Sequence, residues 1–273
     1  MASIDLLWPR AGDWPTPQPG DGPADVALVG IPTWRTSLSP TNAHATPAAV
    51  RDALRRYSFE SPLRIVDVGD LTEVDQIRAI EAELLIALGG DNSATVPVAL
   101  GRGARGLVTL DAHHDLRDGV SNGSPVRQLI EAGLSGTRVV QVGIEPFANS
   151  RAYAQRAADY GITVITRDEL RRRPIDDAIA EALAIASDGD GPVHVDLDVD
   201  VCDRSVAPAC PASIPGGLSA IELRAAARAA GAHPSVTSID IVEVDATADA
   251  PDGRTVRLAA LCVLEIIAGR QLR

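Results

Sequence analysis

The stretch LVTLDAHHDL, residues 107–116, runs as an apolar, β-branched strand and then breaks into Asp111, His113, His114 and Asp115. A second stretch, VHVDLDVDVCD, residues 193–203, does the same with Asp196, Asp198 and Asp200. Alternation along a strand puts Val193, Val195, Leu197 and Val199 on one face and His194, Asp196, Asp198 and Asp200 on the other. Carboxylates crowded on one face repel one another, and burying them without partners is costly. Water, arginines or cations relieve that cost. One or two hard divalent ions shared between neighbouring strands would relieve it at both strand ends together, whereas a merely solvated strand end explains VDLDVD alone less well and the pair of motifs poorly. Carboxylate oxygens with one or two imidazoles suit Mn²⁺, Fe²⁺ and similar ions better than a thiolate site would.

Outward from these two runs the same rhythm repeats. DVALVGI from 25, LRIVDVG from 63, ELLIALGG from 83, GLVTLD from 106, TRVVQVGI from 137, ITVIT from 162, PVHVDLDVD from 192 and VTSIDIVEV from 236 read as strands separated by Ala- and Leu-rich helical segments. Such alternation predicts βαβ units and a three-layer α/β/α domain on a parallel sheet of about eight strands. Thr46-Pro47 reads as a cap followed by proline in the first helical turn, and SAIELRAAARAAG as a helix with Ser219 at its N-cap and Gly231 at its end. Residues 1–24, rich in Pro and Gly, read as an extended arm, and residues 25–273 as a single domain without internal repeat. In open sheets of this kind ligands bind beyond the carboxyl ends of the strands. ALGGDN, VTLDAHHD, VDLDVD and DIVEVD all place polar residues there.

The 273 residues carry a formal charge of −12, which argues against a nucleic-acid or anionic-membrane surface. Three cysteines, Cys202, Cys210 and Cys262, lack paired spacing and fit reduced thiols. No run resembles a signal peptide or a membrane span, so a cytoplasmic protein is expected.

GGDNS (89–93), DAHHD (111–115), DLDVDVCDRSVAPACPASIPGGL (196–218) and DIVEVDATAD (240–249) resemble, in order and over nearly the whole chain, the four motifs of the ureohydrolase superfamily, which includes arginase, agmatinase and formimidoylglutamase. The resemblance implies an arginase-like fold with a binuclear Mn²⁺ site. Asp111 and Asp198 would bridge two ions, Asp115 and Asn92 would complete one, and His113 and Asp200 the other. Where the family has GGDHS, this chain has Asn92, a weaker ligand than imidazole, so a binuclear site with an Asn ligand, a mononuclear enzyme and a metal-poor binding protein are all open, the first being favoured. His44, His194 and His233 match no ligand position.

The resemblance also implies the chemistry: hydrolysis of a C–N bond in a linear amidine or guanidino compound, with Asp115 taking a proton from the attacking water and Glu243 pairing with the cationic group. Arginase and agmatinase carry a loop histidine where this chain has Asn122 in SNGSPVRQL. That loop, DAHHDLRD and DVDVCDRSVAPACPAS are more similar to formimidoylglutamase, which points to N-formimidoyl-L-glutamate, with another guanidino acid (arginine-, hydroxyarginine- or agmatine-like) as the alternative. Two substrate carboxylates call for cations, so Arg117 and Arg127, with Asn122, Ser124 and Glu243, are the expected substrate-binding residues. Relatives are often trimers or hexamers, which leaves a homo-oligomer open.

Overall fold

The computed structural model describes residues 5, 7–189 and 191–273. Eight strands, β1 (Ala24–Ile31), β2 (Ile65–Asp70), β3 (Ala82–Gly89), β4 (Gly106–Leu110), β5 (Val139–Ile144), β6 (Thr163–Thr166), β7 (Val193–Asp198) and β8 (Val236–Val242), form one sheet in the order β2-β1-β3-β8-β7-β4-β5-β6. Every pairing is parallel. Each strand falls where the β-branched runs place it. The four strands that end in polar motifs are contiguous, β3-β8-β7-β4, and form the centre of the sheet.

The connecting helices are α1 (Thr46–Leu54), α2 (Val74–Arg78), α3 (Thr95–Gly101), α4 (Pro125–Glu131), α5 (Arg151–Tyr160), α6 (Arg167–Leu170), α7 (Ile175–Ala186), α8 (Ala220–Ala232) and α9 (Arg254–Arg270). One sheet face, with Leu28, Ile86, Val108, Val195 and Leu197, packs against α1, α7, α8 and α9 in a continuous core. The opposite face divides. Ala27, Leu85 and Ala87 pack under α2 and α3, whereas Leu107 and Val139 pack under α3, α4 and α5. Between those clusters lies a buried polar row set by strand register, Asp240 beside Asp196, Asp196 beside Thr109, and Thr109 beside Gln141. His194, one step lower, has Nδ1 2.8 Å from Ser238 Oγ and Nε2 3.3 Å from Asp240 Oδ1, so it is a hydrogen-bonded core residue. Burial, followed by the neighbouring Asp240, holds the Asp196 carboxyl well above its ordinary range.

Two helix ends differ from their sequence reading. Ser219 does cap α8, with its reciprocal partner Glu222. Thr46, by contrast, is already inside α1; its hydroxyl donates to the Val244 carbonyl and accepts from Ala246 N at 3.2 Å, tying the helix to the loop after β8. Gly231 does not end α8, which continues to Ala232. It is there for close approach: a Cβ on Gly231 would lie 2.1 Å from the Ile266 carbonyl oxygen, and one on Gly269 would lie 2.1 Å from that of Arg228. Among the described residues before β1, Ala11 N donates to Tyr57 O at 3.0 Å, Asp67 N donates to Pro15 O at 3.0 Å, and Arg10 forms an isolated antiparallel bridge with Ser58. Among the described residues no helix is long and apolar enough to cross a membrane, and all three cysteines are free and buried.

Candidate metal centre

The central strands end together, so their carboxylates converge. Asp111 follows β4, Asp198 closes β7, and Asp200 sits in the short 3-10 turn that Asp198 caps by accepting from Asp200 N at 2.9 Å. His113 N donates to Asp111 Oδ1 at 2.6 Å, and its Nδ1 lies 3.1 Å from Asp200 Oδ2 and 3.4 Å from Asp111 Oδ1. Ligand atoms of Asp111, His113 and Asp200 lie within 4.8 Å of one another, as do those of Asp111, Asp115 and Asp198. Asp111 is common to both groups, so two adjacent candidate cation positions share one carboxylate. Asp198, expected to bridge as well, belongs to one group only.

The backbone is bent to achieve this. Asp115 and Glu243 have φ of 52° and 62°, the only non-glycine residues with positive φ among the described residues. Such conformations cost on the order of 1–3 kcal/mol each and persist where surrounding contacts hold them, commonly at functional sites.

Electrostatics shows what the cluster lacks. Burial, then the neighbouring Asp200 charge, raises Asp111 to about 6. Asp115 and Asp198 are also raised, by burial and then by Asp111 and Asp200 respectively. His113 goes the other way for a base: burial opposes its charge, but Asp200 and Asp111 together push it to about 12. Burial opposes the charge of Asp200 too, yet contact with His113 leaves that carboxyl lowered. The buried Asp111 Oδ2 has no hydrogen-bond partner. Buried, mutually repelling carboxylates of this kind favour a nearby cation, and the donor set of four carboxylates and one imidazole fits hard divalent ions.

Asn92, expected as a ligand, is engaged here in hydrogen bonds. Its amide nitrogen donates to Asp115 Oδ2 at 2.7 Å and Asp198 Oδ2 at 3.1 Å, while Thr95 donates to its Oδ1 at 2.6 Å. It stands as a donor to ligand carboxylates, with its oxygen engaged elsewhere. Its backbone N–H also donates to Glu243 Oε1 at 2.8 Å. Thr95, one helical turn on, carried no sequence signal beyond its spacing.

Above the carboxylates is a small cavity of about 100 Å³, walled by His113, Asp115, Asp198, Asp200 and Glu243 on one side and by Leu38, Arg117 and Asn122 on the other. Burial raises Glu243 to about 8 despite the Asn122 and Asn92 donors. Arg117 is exposed at the rim, and among the described residues its guanidinium has no partner. Arg127 does not line this cavity. Its Nε donates to Arg117 O at 2.7 Å, and its other nitrogens engage Gly119 O and Glu131, so it supports the loop that carries Arg117. Ser124 is fully buried and closes the same loop, donating to Ser121 O at 2.9 Å and accepting from Ser121 N at 3.0 Å. His114 turns away from the cluster, its Nδ1 2.7 Å from Gln141 Oε1. Leu38 and Ser39, which help to wall the cavity, were not legible as site residues because loop 34–40 has no motif.

A parallel α/β/α sheet whose central strands deliver four carboxylates and an imidazole to adjacent cation positions defines a metal-dependent hydrolase. The chain belongs to the arginase family, whose profile matches residues 24–269. It is 33% identical over 279 residues to formimidoylglutamase from Bacillus subtilis (strain 168), covering 90% of this chain and 87% of that protein. The crystal structure of formimidoylglutamase from the same source superposes with a TM-score of 0.92 at 30% identity, over 100% of this chain and 95% of that one. The fold is shared with Trypanosoma cruzi formiminoglutamase, solved with Mn²⁺, at a TM-score of 0.82 and 24% identity, over 92% and 94% of the two chains.

Proposed function

We propose that this chain is a Mn²⁺-dependent hydrolase that converts N-formimidoyl-L-glutamate to L-glutamate and formamide. The observation that carries the reading is the pair of ligand groups sharing Asp111 directly beside the buried Glu243 carboxylate, in a chain similar along its length to formimidoylglutamase. When bound, the ions supply Lewis acidity that activates water near neutral pH for attack on an amidine carbon. Asp111, His113, Asp200, Asp115 and Asp198 hold them. Glu243 Oε1 takes both protein donors, which leaves Oε2 for the cationic amidine. Asp115, raised by burial and its neighbours, is the carboxylate disposed to hold a proton during the reaction. The partnerless Arg117 guanidinium at the rim binds a substrate carboxylate. Arg127 and Ser124 act only through the loop they fold. The substrate is a small molecule, and three reduced buried thiols fit a cytoplasmic setting.

The test is glutamate release from N-formimidoyl-L-glutamate by Mn²⁺-reconstituted protein, with arginine and agmatine in parallel. Release that disappears in Asp198→Ala is the expected result. Turnover of arginine or agmatine in place of N-formimidoyl-L-glutamate would overturn the substrate assignment, and failure to bind metal would overturn the hydrolase reading.

A further inference from the structure

Residues 34–40 have no regular secondary structure and line the cavity through Leu38 and Ser39, and Leu38 is 56% exposed. Ring contacts support the loop at its start: Trp34 packs tilted at 43° against His44, centroids 5.0 Å apart, with the Arg35 guanidinium 5.1 Å from the Trp34 ring. Among the described residues, however, every hydrogen bond joining residues 34–40 to the rest of the chain goes to Asn122. Leu38 N donates to Asn122 Oδ1 at 3.0 Å, and Asn122 N donates to Thr36 O at 3.3 Å. The remaining end of the same side chain faces inward, where Nδ2 donates to Glu243 Oε1 at 2.6 Å. One amide therefore joins the cavity's outer wall to its inner carboxylate. The two jobs use two different atoms of the amide: an ionised Asp has no donor for Glu243, and a Ser hydroxyl has only one polar atom with which to meet both partners.

We propose that Asn122 is a positioning residue that holds the 34–40 loop closed over the site while aligning Glu243 for the cationic end of the substrate. The loop contribution stands on the hydrogen bonds alone; the alignment contribution rests on the amidine-binding role proposed for Glu243. Closure and cation capture are coupled because both depend on the orientation of one planar group. Loosening of the outer wall frees the amide to rotate, and rotation withdraws its donor from Glu243.

The experiment uses full-length, Mn²⁺-loaded protein and limited trypsin digestion, with cleavage after the exposed Arg35 followed by mass spectrometry. Asn122→Ala removes the side-chain acceptor of Leu38 N and keeps the backbone bond to Thr36 O, and the loss of that one bond predicts cleavage after Arg35 about fivefold faster than in the unmodified protein. Asn122→Asp keeps an oxygen for Leu38 N and replaces the donor to Glu243 with a like charge, so it is expected to resist trypsin nearly as well as the unmodified chain while losing the alignment of Glu243. In both variants KM for N-formimidoyl-L-glutamate rises about tenfold while kcat stays within about threefold, the pattern of lost binding and not of lost chemistry. Unchanged cleavage after Arg35 in Asn122→Ala overturns the loop role, and unchanged KM in both variants overturns the alignment role. Digestion needs no turnover, so a wrong substrate assignment leaves the loop test readable. Thermal unfolding of each variant, expected to match the unmodified protein, separates local loosening from global loss of fold.

Discussion

Asn92 shows how one side chain sets the strength of a metal site. Its amide nitrogen now bridges Asp115 and Asp198, where an imidazole would instead offer a lone pair to an ion. Replacement by histidine converts a hydrogen-bond donor into a ligand. Asn92→His is therefore expected to tighten the ion held by Asp111, Asp115 and Asp198 by on the order of tenfold, measured by calorimetric titration of metal-free protein with Mn²⁺. Unchanged affinity would mean that the amide already coordinates through its oxygen once metal is bound. At this scale the convergence of the strand-end carboxylates was readable because unpaired acids there have few cheap explanations. The direction of the Asn92 amide was not, since it depends on Thr95 and on two carboxylates from strands distant in sequence. Arg117 and Arg127 are equally alike on paper, and only the fold turns one toward the cavity and the other into its supporting loop.

At the scale of elements, strand runs transferred to the structure almost residue for residue because parallel strands buried on both faces need long β-branched stretches. Helix ends transferred less well. Thr46 is spent on a loop carbonyl instead of a cap, and Gly231 lies inside a helix because α9 passes too close for any side chain. Both outcomes come from tertiary neighbours that local spacing does not contain. The glycine contact reverses a familiar expectation. Gly→Ala inside a helix normally stabilises by roughly 0.5–1 kcal/mol, yet Gly231→Ala drives a methyl against the Ile266 carbonyl. The α8–α9 pair must part, and overpacking of this kind costs typically about 1–3 kcal/mol. Chemical denaturation of Gly231→Ala is expected to show that loss, with Gly269→Ala behaving alike. A stabilised variant would show that the two helices can separate freely.

For the molecule as a whole, the metal centre is a source of instability that the ion removes. Asp111, raised from its ordinary 3.8 to about 6, and Glu243, raised from 4.5 to about 8, are acids whose folded form favours the proton. Such groups leave stability untouched below their unfolded pKa and subtract from it as pH rises through the folded value. His113, raised from 6.5 to about 12, is a base whose added stability is complete below 6.5 and is lost progressively above it, toward about 12. All three shifts act in one direction. Metal-free protein should therefore lose thermal stability as pH rises from about 5 to about 8, a window inside the ranges these shifts cover. Bound ions reverse the trend, because their ligands must shed protons and metal affinity grows with pH. The gap in melting temperature between Mn²⁺-loaded and metal-free protein is then expected to widen steadily across that range. The chain's charge of −12 also disfavours the folded state at high pH, through general self-repulsion. Asp111→Asn distinguishes the two causes: it removes one buried carboxylate and barely alters total charge. Metal-free Asp111→Asn should melt above the metal-free unmodified protein at pH 8 and gain little from Mn²⁺. If instead it melts with the same pH slope as the unmodified chain, surface repulsion and not the strand-end carboxylates governs the stability of the fold.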